Sequence, residues 1–300
     1  MEVKFIWFDG AFIPFKKAKI HLLNHSLHYG SAVFEGIRCY ETEKGPAVFR
    51  LKDHVSRFFH SAEVMGMKIP YSRKKLTGAV KNLINKNKLK ECYIRPIAFY
   101  GEKMGLLPIG APLSVAIAVW PWGKYLEKES VAVKISPFQR IHPKSSEMTT
   151  KISGHYYNSI IAALDAKKSG FDEALLLDWK GNIAEGPGEN IFFIKEKKIF
   201  TPRAGSILPG ITRDSVIKIA KNLGFQVIEK NICPGEIRRF DEAFFTGTAV
   251  EVNAIGRINK VIIRNGKPGQ ITNKIKEKYN DAIRGKIAKY KKWLDYVKIN

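Results

Sequence analysis

The sequence predicts an α+β protein built from two domains, on three observations. Both halves mix strand-like runs rich in β-branched and aromatic residues with segments of helical apolar spacing. A stretch carrying Pro, Gly and charges, PWGKYLEKES at residues 121–130, interrupts the strand signals. The 300 residues, 45% hydrophobic, suffice for one large or two medium cores. The expected division is a small N-terminal domain over 1–122, a linker at 123–130 and a larger domain over 131–300.

The elements follow in chain order. FIWFDGAFIPF reads as two short strands around an Asp9-Gly10 turn. Leu51 to Val64 has helical spacing, with Val55, Phe58, Phe59 and Ala62 on one side. Tyr71–Asn87 reads as a second helix, and Glu91–Tyr100 and Pro112–Trp122 as strands. After the linker, Val131–Pro137 is a strand and His155–Lys168 a helix stopped by Gly170. Asp172–Asp178, Asn190–Ile194, Lys198–Thr201 and Asp241–Thr246 are strands, with a turn at Gly181-Asn182. Thr212–Leu223 is a helix with Thr212 as cap and Gly224 as stop. Asn273–Val297 reads as a long basic amphipathic helix with a break near Gly285, packed on the surface.

Composition narrows the function classes. The net charge of +23 comes from lysines scattered along the chain and interleaved with apolar or acidic residues. That pattern describes a solvated surface, and no helix-turn-helix, zinc-finger or RNA-recognition signature argues for nucleic acid. Cys39, Cys92 and Cys233 are widely spaced, which fits a reducing compartment and argues against a disulfide framework or a zinc site; no metal is expected. No apolar run approaches the roughly 20 residues of a bilayer span, and the N-terminus has no signal-peptide pattern. The cytoplasm is the default expectation, with no membrane partner.

Four local features in the second half carry chemistry: Met148-Thr149-Thr150-Lys151 before a helix, Glu185-Gly186-Pro187-Gly188-Glu189-Asn190 entering a strand, Leu208-Pro209-Gly210-Ile211-Thr212 opening a helix, and Thr246-Gly247-Thr248-Ala249 closing a strand. A glycine and a threonine at a helix start either cap the helix or offer backbone amides, reinforced by the helix dipole, to an anion such as phosphate. The Thr-Gly-Thr turn is open to the same two readings. Glu185, set among glycines, is either a surface turn carboxylate or one that lies against a flat ring and pairs with a protonated ring nitrogen.

In that order these segments resemble the fold-type IV pyridoxal-phosphate enzymes, specifically the branched-chain amino acid aminotransferases. The likeness reaches into the first half, through Asn24-His25-Ser26-Leu27-His28-Tyr29-Gly30, Val33-Phe34-Glu35-Gly36-Ile37-Arg38-Cys39-Tyr40, Tyr93-Ile94-Arg95-Pro96 and Trp120-Pro121-Trp122-Gly123-x-Tyr125. It extends from about Ile6 to Trp293. The resemblance implies a two-domain fold related to D-amino acid aminotransferase, with the active site between the domains and pyridoxal 5′-phosphate as cofactor. Lys151 matches the Schiff-base lysine and proton shuttle, Glu185 the partner of the pyridine nitrogen, and Tyr156 the tyrosine on the phenolic oxygen. The phosphate is expected at Arg57, at the Ile211 and Thr212 amides with the Thr212 hydroxyl, and at Thr248. Tyr93 and Arg95, two apart on a strand and so on one face, match the pair near the substrate carboxylate, with Gly247 to Ala249 donating backbone amides. Tyr29, Phe34, Trp122 and Tyr125 match the walls of an apolar pocket, and Arg38 an arginine that accepts a second carboxylate. Glu189 is the less defined carboxylate of its run.

The implied reaction moves the amino group of L-leucine, L-isoleucine or L-valine to 2-oxoglutarate. The alternatives within the fold are a D-amino acid aminotransferase and an aminodeoxychorismate lyase. The implied partners are small amino acids and 2-oxo acids, together with further copies of the chain in a homo-oligomer, at least a dimer.

Overall fold

The computed structural model describes residues 3–123 and 128–298. The chain divides into two compact units. One comprises Met1–Gly123, Thr150–His155 and Asp281–Asn300; the other comprises Lys124–Thr149 and Tyr156–Asn280. The observed second unit begins at residue 124, within the expected linker, and leaves out two stretches of the expected second domain. The short segment holding Lys151 and the C-terminal tail both group with the N-terminal unit.

The first unit is built on an eight-stranded sheet. It contains β1 (Phe5–Phe8), β2 (Ala11–Pro14), β3 (Ala32–Phe34), β4 (Ile37–Thr42), β5 (Gly45–Phe49), β6 (Cys92–Tyr100), β7 (Leu113–Trp120) and a tail strand, Leu294–Tyr296. The order is tail strand-β5-β4-β6-β7-β1-β2, with β3 also on β6, and every pairing is antiparallel. The β1–β2 hairpin closes through Asp9 and Gly10, both at positive φ (44° and 92°), as the Asp-Gly pair predicts. Helix α1 (His25–Tyr29) is capped by Asn24, whose side chain accepts from the Ser26 and Leu27 amides, and it ends at Gly30 with φ 65°. Helix α2 (Leu51–Val64) buries Leu51, Val55, Phe58 and Ala62, three or four apart. Helix α3 (Arg73–Lys86), capped by Ser72, buries Leu76, Val80, Leu83 and Ile84. These faces meet sheet residues Ile37, Cys39, Ile94, Ile117 and Val119 in one core. Fully burying a side chain such as Phe58 stabilises by about 1.5–3 kcal/mol.

The tail departs from the expected long helix. The helix stops at Ile283, and Gly285 follows at φ 73°. A 3-10 turn at Ala288–Trp293 then leads into a strand that pairs with β5. Trp293 and Leu294 are buried, and Arg50 donates its amide to the Trp293 carbonyl at 2.6 Å. An apolar run this short fits either a helix or a strand, and the open edge of β5 decides for the strand.

The second unit is also built on an eight-stranded sheet. Its strands are β8 (Ser130–Ile135), β9 (Glu173–Leu175), β10 (Asn190–Lys195), β11 (Lys198–Thr201), β12 (Gln226–Glu229), β13 (Glu242–Gly247), β14 (Glu251–Ile258) and β15 (Val261–Ile262). The order is β12-β11-β10-β13-β14-β8-β9, with β15 on β14. The β11–β12, β14–β8 and β8–β9 pairs are parallel and the rest antiparallel. Its helices are α4 (Tyr156–Lys168), α5 (Ile211–Asn222) and α6 (Gln270–Ile283), the last ending within the first unit's span. Glu242 caps α6 by accepting from the Ile271 and Thr272 amides at 3.1 and 2.8 Å. The cap of α5 is Gly210 in extended backbone, and Thr212, expected as the cap, lies inside the first turn. Glycine brings no capping side chain, and that turn has no side-chain cap. Among the described residues no helix is long and apolar enough to cross a membrane.

Candidate active site

In the first unit, Lys151 is held by its backbone. Its carbonyl accepts from the Phe34 amide at 3.1 Å, and its amide donates to Ser61 Oγ at 2.9 Å. Ser61 in turn donates to the Arg57 carbonyl at 2.9 Å, so helix α2 carries both the arginine and the anchor of the lysine segment. The neighbouring Ile152 bridges to Val33, and the Gly154 amide donates to Gly30 at 3.0 Å. The lysine Nζ lies 5.0 Å from the centroid of the Phe34 ring. The same ring carries the Arg95 guanidinium at 4.7 Å.

Arg95 also donates to the Tyr93 hydroxyl at 3.3 Å, as two residues on one face of β6 should. Arg38 is the cross-strand partner of Tyr93 and stacks its guanidinium 5.0 Å from the Tyr40 ring. Tyr93 contacts both Trp120 and Trp122 at 5.0 Å between centroids. A Cβ placed on Gly36 would run into the Tyr93 hydroxyl, so only glycine lets β4 start that close to it. Phe34, Arg38, Tyr93, Arg95, Trp122 and Lys151 thus form one linked aromatic and cationic surface within the unit. Tyr29 is set at the end of α1, 42% exposed, with its ring against His25. Tyr125, expected in the pocket wall, lies outside the described residues.

Arg57 is engaged by Glu35, whose two carboxylate oxygens accept from Nε at 2.6 Å and from a terminal nitrogen at 2.9 Å. His54 Nδ1 makes the third contact to Glu35 at 2.7 Å, and Glu35 is fully buried. Burial pushes the Glu35 carboxyl up, but the charges of Arg57 and His54 and their hydrogen bonds outweigh it and hold the group well below its ordinary 4.5. Burial likewise lowers the His54 imidazole below 6.5, and Glu35 reverses this only in part.

In the second unit, Glu185 is a buried carboxylate that accepts from Arg140, Asn190 and Leu208. Arg140 Nε lies 2.7 Å from Oε1, Asn190 Nδ2 lies 3.1 Å from Oε2, and the Leu208 amide reaches both oxygens at 3.2 and 3.1 Å. Charge-assisted donors of this kind favour the ionised form of a carboxylate. Asn190 also donates to the Leu208 carbonyl at 3.0 Å, and a Cβ on Gly210 would run into its side-chain oxygen. One asparagine therefore ties the Glu185 turn to the loop that opens α5. At that opening Ile211 and Thr212 are buried, and the helix dipole points its positive end there. Glu189 turns back on its own loop, accepting from the Gly188 amide at 3.0 Å. Tyr156 is the first residue of α4, half-buried. Gly247 ends β13 and Thr248 and Ala249 follow it, all three half-buried; the hydroxyl of Thr246 before them is buried with no partner among the described residues. Arg140, Asn190, His54 and Ser61 had no predicted role. Their partners lie 45, 5, 19 and 90 residues away, and only the Asn190 contact is local enough to leave a signal, inside the Glu185 run itself.

Comparison with known proteins places this geometry in a family. Residues 32–258 match the family described as amino-transferase class IV. A Pseudomonas aeruginosa protein named branched-chain-amino-acid aminotransferase is 43% identical over 298 residues, covering 98% of this chain and 97% of the relative. An Escherichia coli protein of the same name is 37% identical, covering 99% and 98%. Among solved structures, a T.th. branched-chain amino acid aminotransferase complexed with N-(5′-phosphopyridoxyl)-L-glutamate superimposes with a TM-score of 0.96 at 42% identity, covering 99% of this chain and 100% of that one. With its two units, its matched residues and relatives of this identity along nearly its whole length, the chain belongs to the class IV amino-transferase family.

Proposed function

We propose that the protein uses pyridoxal 5′-phosphate to transfer the amino group of L-leucine, L-isoleucine or L-valine to 2-oxoglutarate, giving branched 2-oxo acids and L-glutamate. The observation that carries the reading is the Phe34 ring with Lys151 Nζ and the Arg95 guanidinium both against it. A primary amine thereby stands near a cation that can take a substrate carboxylate, on an aromatic wall.

The residues present fit the cofactor. Its phosphate calls for anion-binding groups, and that role is assigned to Arg57 in the first unit and, in the second, to Thr248 and the first turn of α5 with Ile211 and Thr212. Its pyridine nitrogen calls for a carboxylate that stays ionised, and Glu185 has Arg140, Asn190 and the Leu208 amide to keep it so. Tyr156 is assigned to its phenolic oxygen. When bound, the cofactor ring supplies an electron sink for charge left on the substrate α-carbon.

The chain's own residues do the rest. Lys151 Nζ anchors the cofactor covalently, then takes and returns the substrate α-proton. Tyr93, Arg95 and the turn at Gly247 to Ala249 orient the α-carboxylate. Phe34, Tyr29 and Trp122 exclude water from the aliphatic side chain, and Arg38 serves the second carboxylate of glutamate. Aliphatic pockets separate substrates differing by a methylene only modestly, so several branched amino acids should be accepted. A homo-oligomer, at least a dimer, belongs to this proposal.

The test is the absorbance spectrum of purified protein. Wild type should show a visible band that leucine bleaches, and Lys151→Ala should lack it. A colourless wild type would sink the reading. A coupled assay with L-leucine, D-alanine and aminodeoxychorismate separates this activity from the D-amino acid aminotransferase and lyase alternatives of the same fold.

A further inference from the structure

The Phe-Glu-Gly-Ile-Arg run left its glutamate without a role. Glu35 directly follows Phe34 at the end of β3, and successive residues of extended chain point to opposite sides. Phe34 meets Lys151 and Arg95, whereas Glu35 meets α2. His54 and Arg57, three apart on that helix, present to Glu35 together. The Glu35 backbone is itself fixed, its amide donating to the Pro96 carbonyl at 2.9 Å.

Bidentate pairing holds the plane of a guanidinium as well as its position. An arginine loses much rotamer freedom when it is fixed, and Glu35 fixes Arg57 before any anion arrives. His54 limits where the Glu35 carboxylate can turn, because it occupies Oε2 from the side of the preceding helical turn.

We propose that Glu35 is a positioning residue that, with His54, presets Arg57 for the phosphate of the cofactor. This rests on the proposed cofactor reading and assigns it a step in binding: the phosphate grip is built by a buried anion that never touches phosphate.

The experiment compares full-length protein loaded with pyridoxal phosphate and with pyridoxal, which lacks the phosphate, and follows release on dilution through the visible band. Glu35→Gln should release pyridoxal phosphate roughly tenfold or more faster than wild type, the scale of one charge-assisted hydrogen bond, while release of pyridoxal changes by less than about twofold. Glu35→Asp keeps the buried charge on a shorter stem. It should fall between, and it carries the test if the Gln variant does not fold. In an Arg57→Gln background, Glu35→Gln should add nothing further. Equal acceleration for both compounds would assign Glu35 a purely structural role and overturn the proposal, as would unchanged pyridoxal phosphate release in both variants. A wild type with no visible band overturns the cofactor reading itself, and this inference with it, and is thereby told apart from a wild type that binds but ignores Glu35.

Discussion

Replacing Glu185 by Gln perturbs a buried carboxylate on which Arg140, Asn190 and the Leu208 amide converge. Glu185 and Arg140 form a buried pair, with side chains 5% and 8% exposed. Gln keeps one acceptor oxygen, which can serve Asn190 and the Leu208 amide. Its NH2 then faces Arg140 Nε, donor against donor. Among the described residues the Arg140 guanidinium then keeps only a 3.4 Å contact from a terminal nitrogen to Asn158. Breaking a buried pair from one side typically costs about 3–5 kcal/mol, because the remaining charge stays buried. At about 2–4 °C per kcal/mol for a unit of this size, the midpoint should fall by roughly 6–20 °C in thermal unfolding followed by circular dichroism. Adding Arg140→Met removes the stranded guanidinium and lets the Gln oxygen keep its two donors. The double variant should recover at least about half of the loss. A fall of less than about 2 °C for the single variant, or a double variant that melts no higher than the single, would refute the reasoning.

Two further outcomes follow from the buried network and the cysteines. Both Glu35 and His54 have folded-state pKa values below their unfolded ones, so the unfolded chain binds more protons as the medium acidifies. Stability should fall as pH drops through 6.5 because of His54, and fall further below 4.5 because of Glu35. Melting curves across that range should decline less steeply above pH 5 in His54→Gln; an unchanged slope would remove His54 from the account. Cys39 and Cys92 are buried and Cys233 is exposed. A thiol reagent should modify one group rapidly in the native protein and all three in denaturant, and three fast groups would contradict the burial of the β4–β6 pair.

The parts of the fold legible in the sequence are those set by neighbours in the chain. Helices α2 and α3 announce themselves through apolar spacing, and the β1–β2 hairpin through Asp9-Gly10, because periodicity and turn chemistry act over a few residues. Strands β3, β4 and β5 leave no comparable signal in the sequence. Each is short and almost wholly buried, without the alternation that marks a half-exposed strand. The site shows the same split. Lys151, Glu185 and the opening of α5 stand out in local motifs, whereas Arg140 and His54 look like any other basic side chain until the fold supplies a carboxylate.

By itself the sequence determined the α+β class, the chemistry-bearing segments and the family resemblance, because each is encoded in runs of adjacent residues. Only the tertiary structure decided that the tail ends in a strand on β5, that the Lys151 segment groups with the N-terminal unit, and that Glu35 pairs with Arg57 and Glu185 with Arg140. Those outcomes depend on which sheet edge is open and which buried charge has an opposite charge within hydrogen-bonding reach. Both are properties of positions brought together from 22 to more than 200 residues apart, and no local pattern records them.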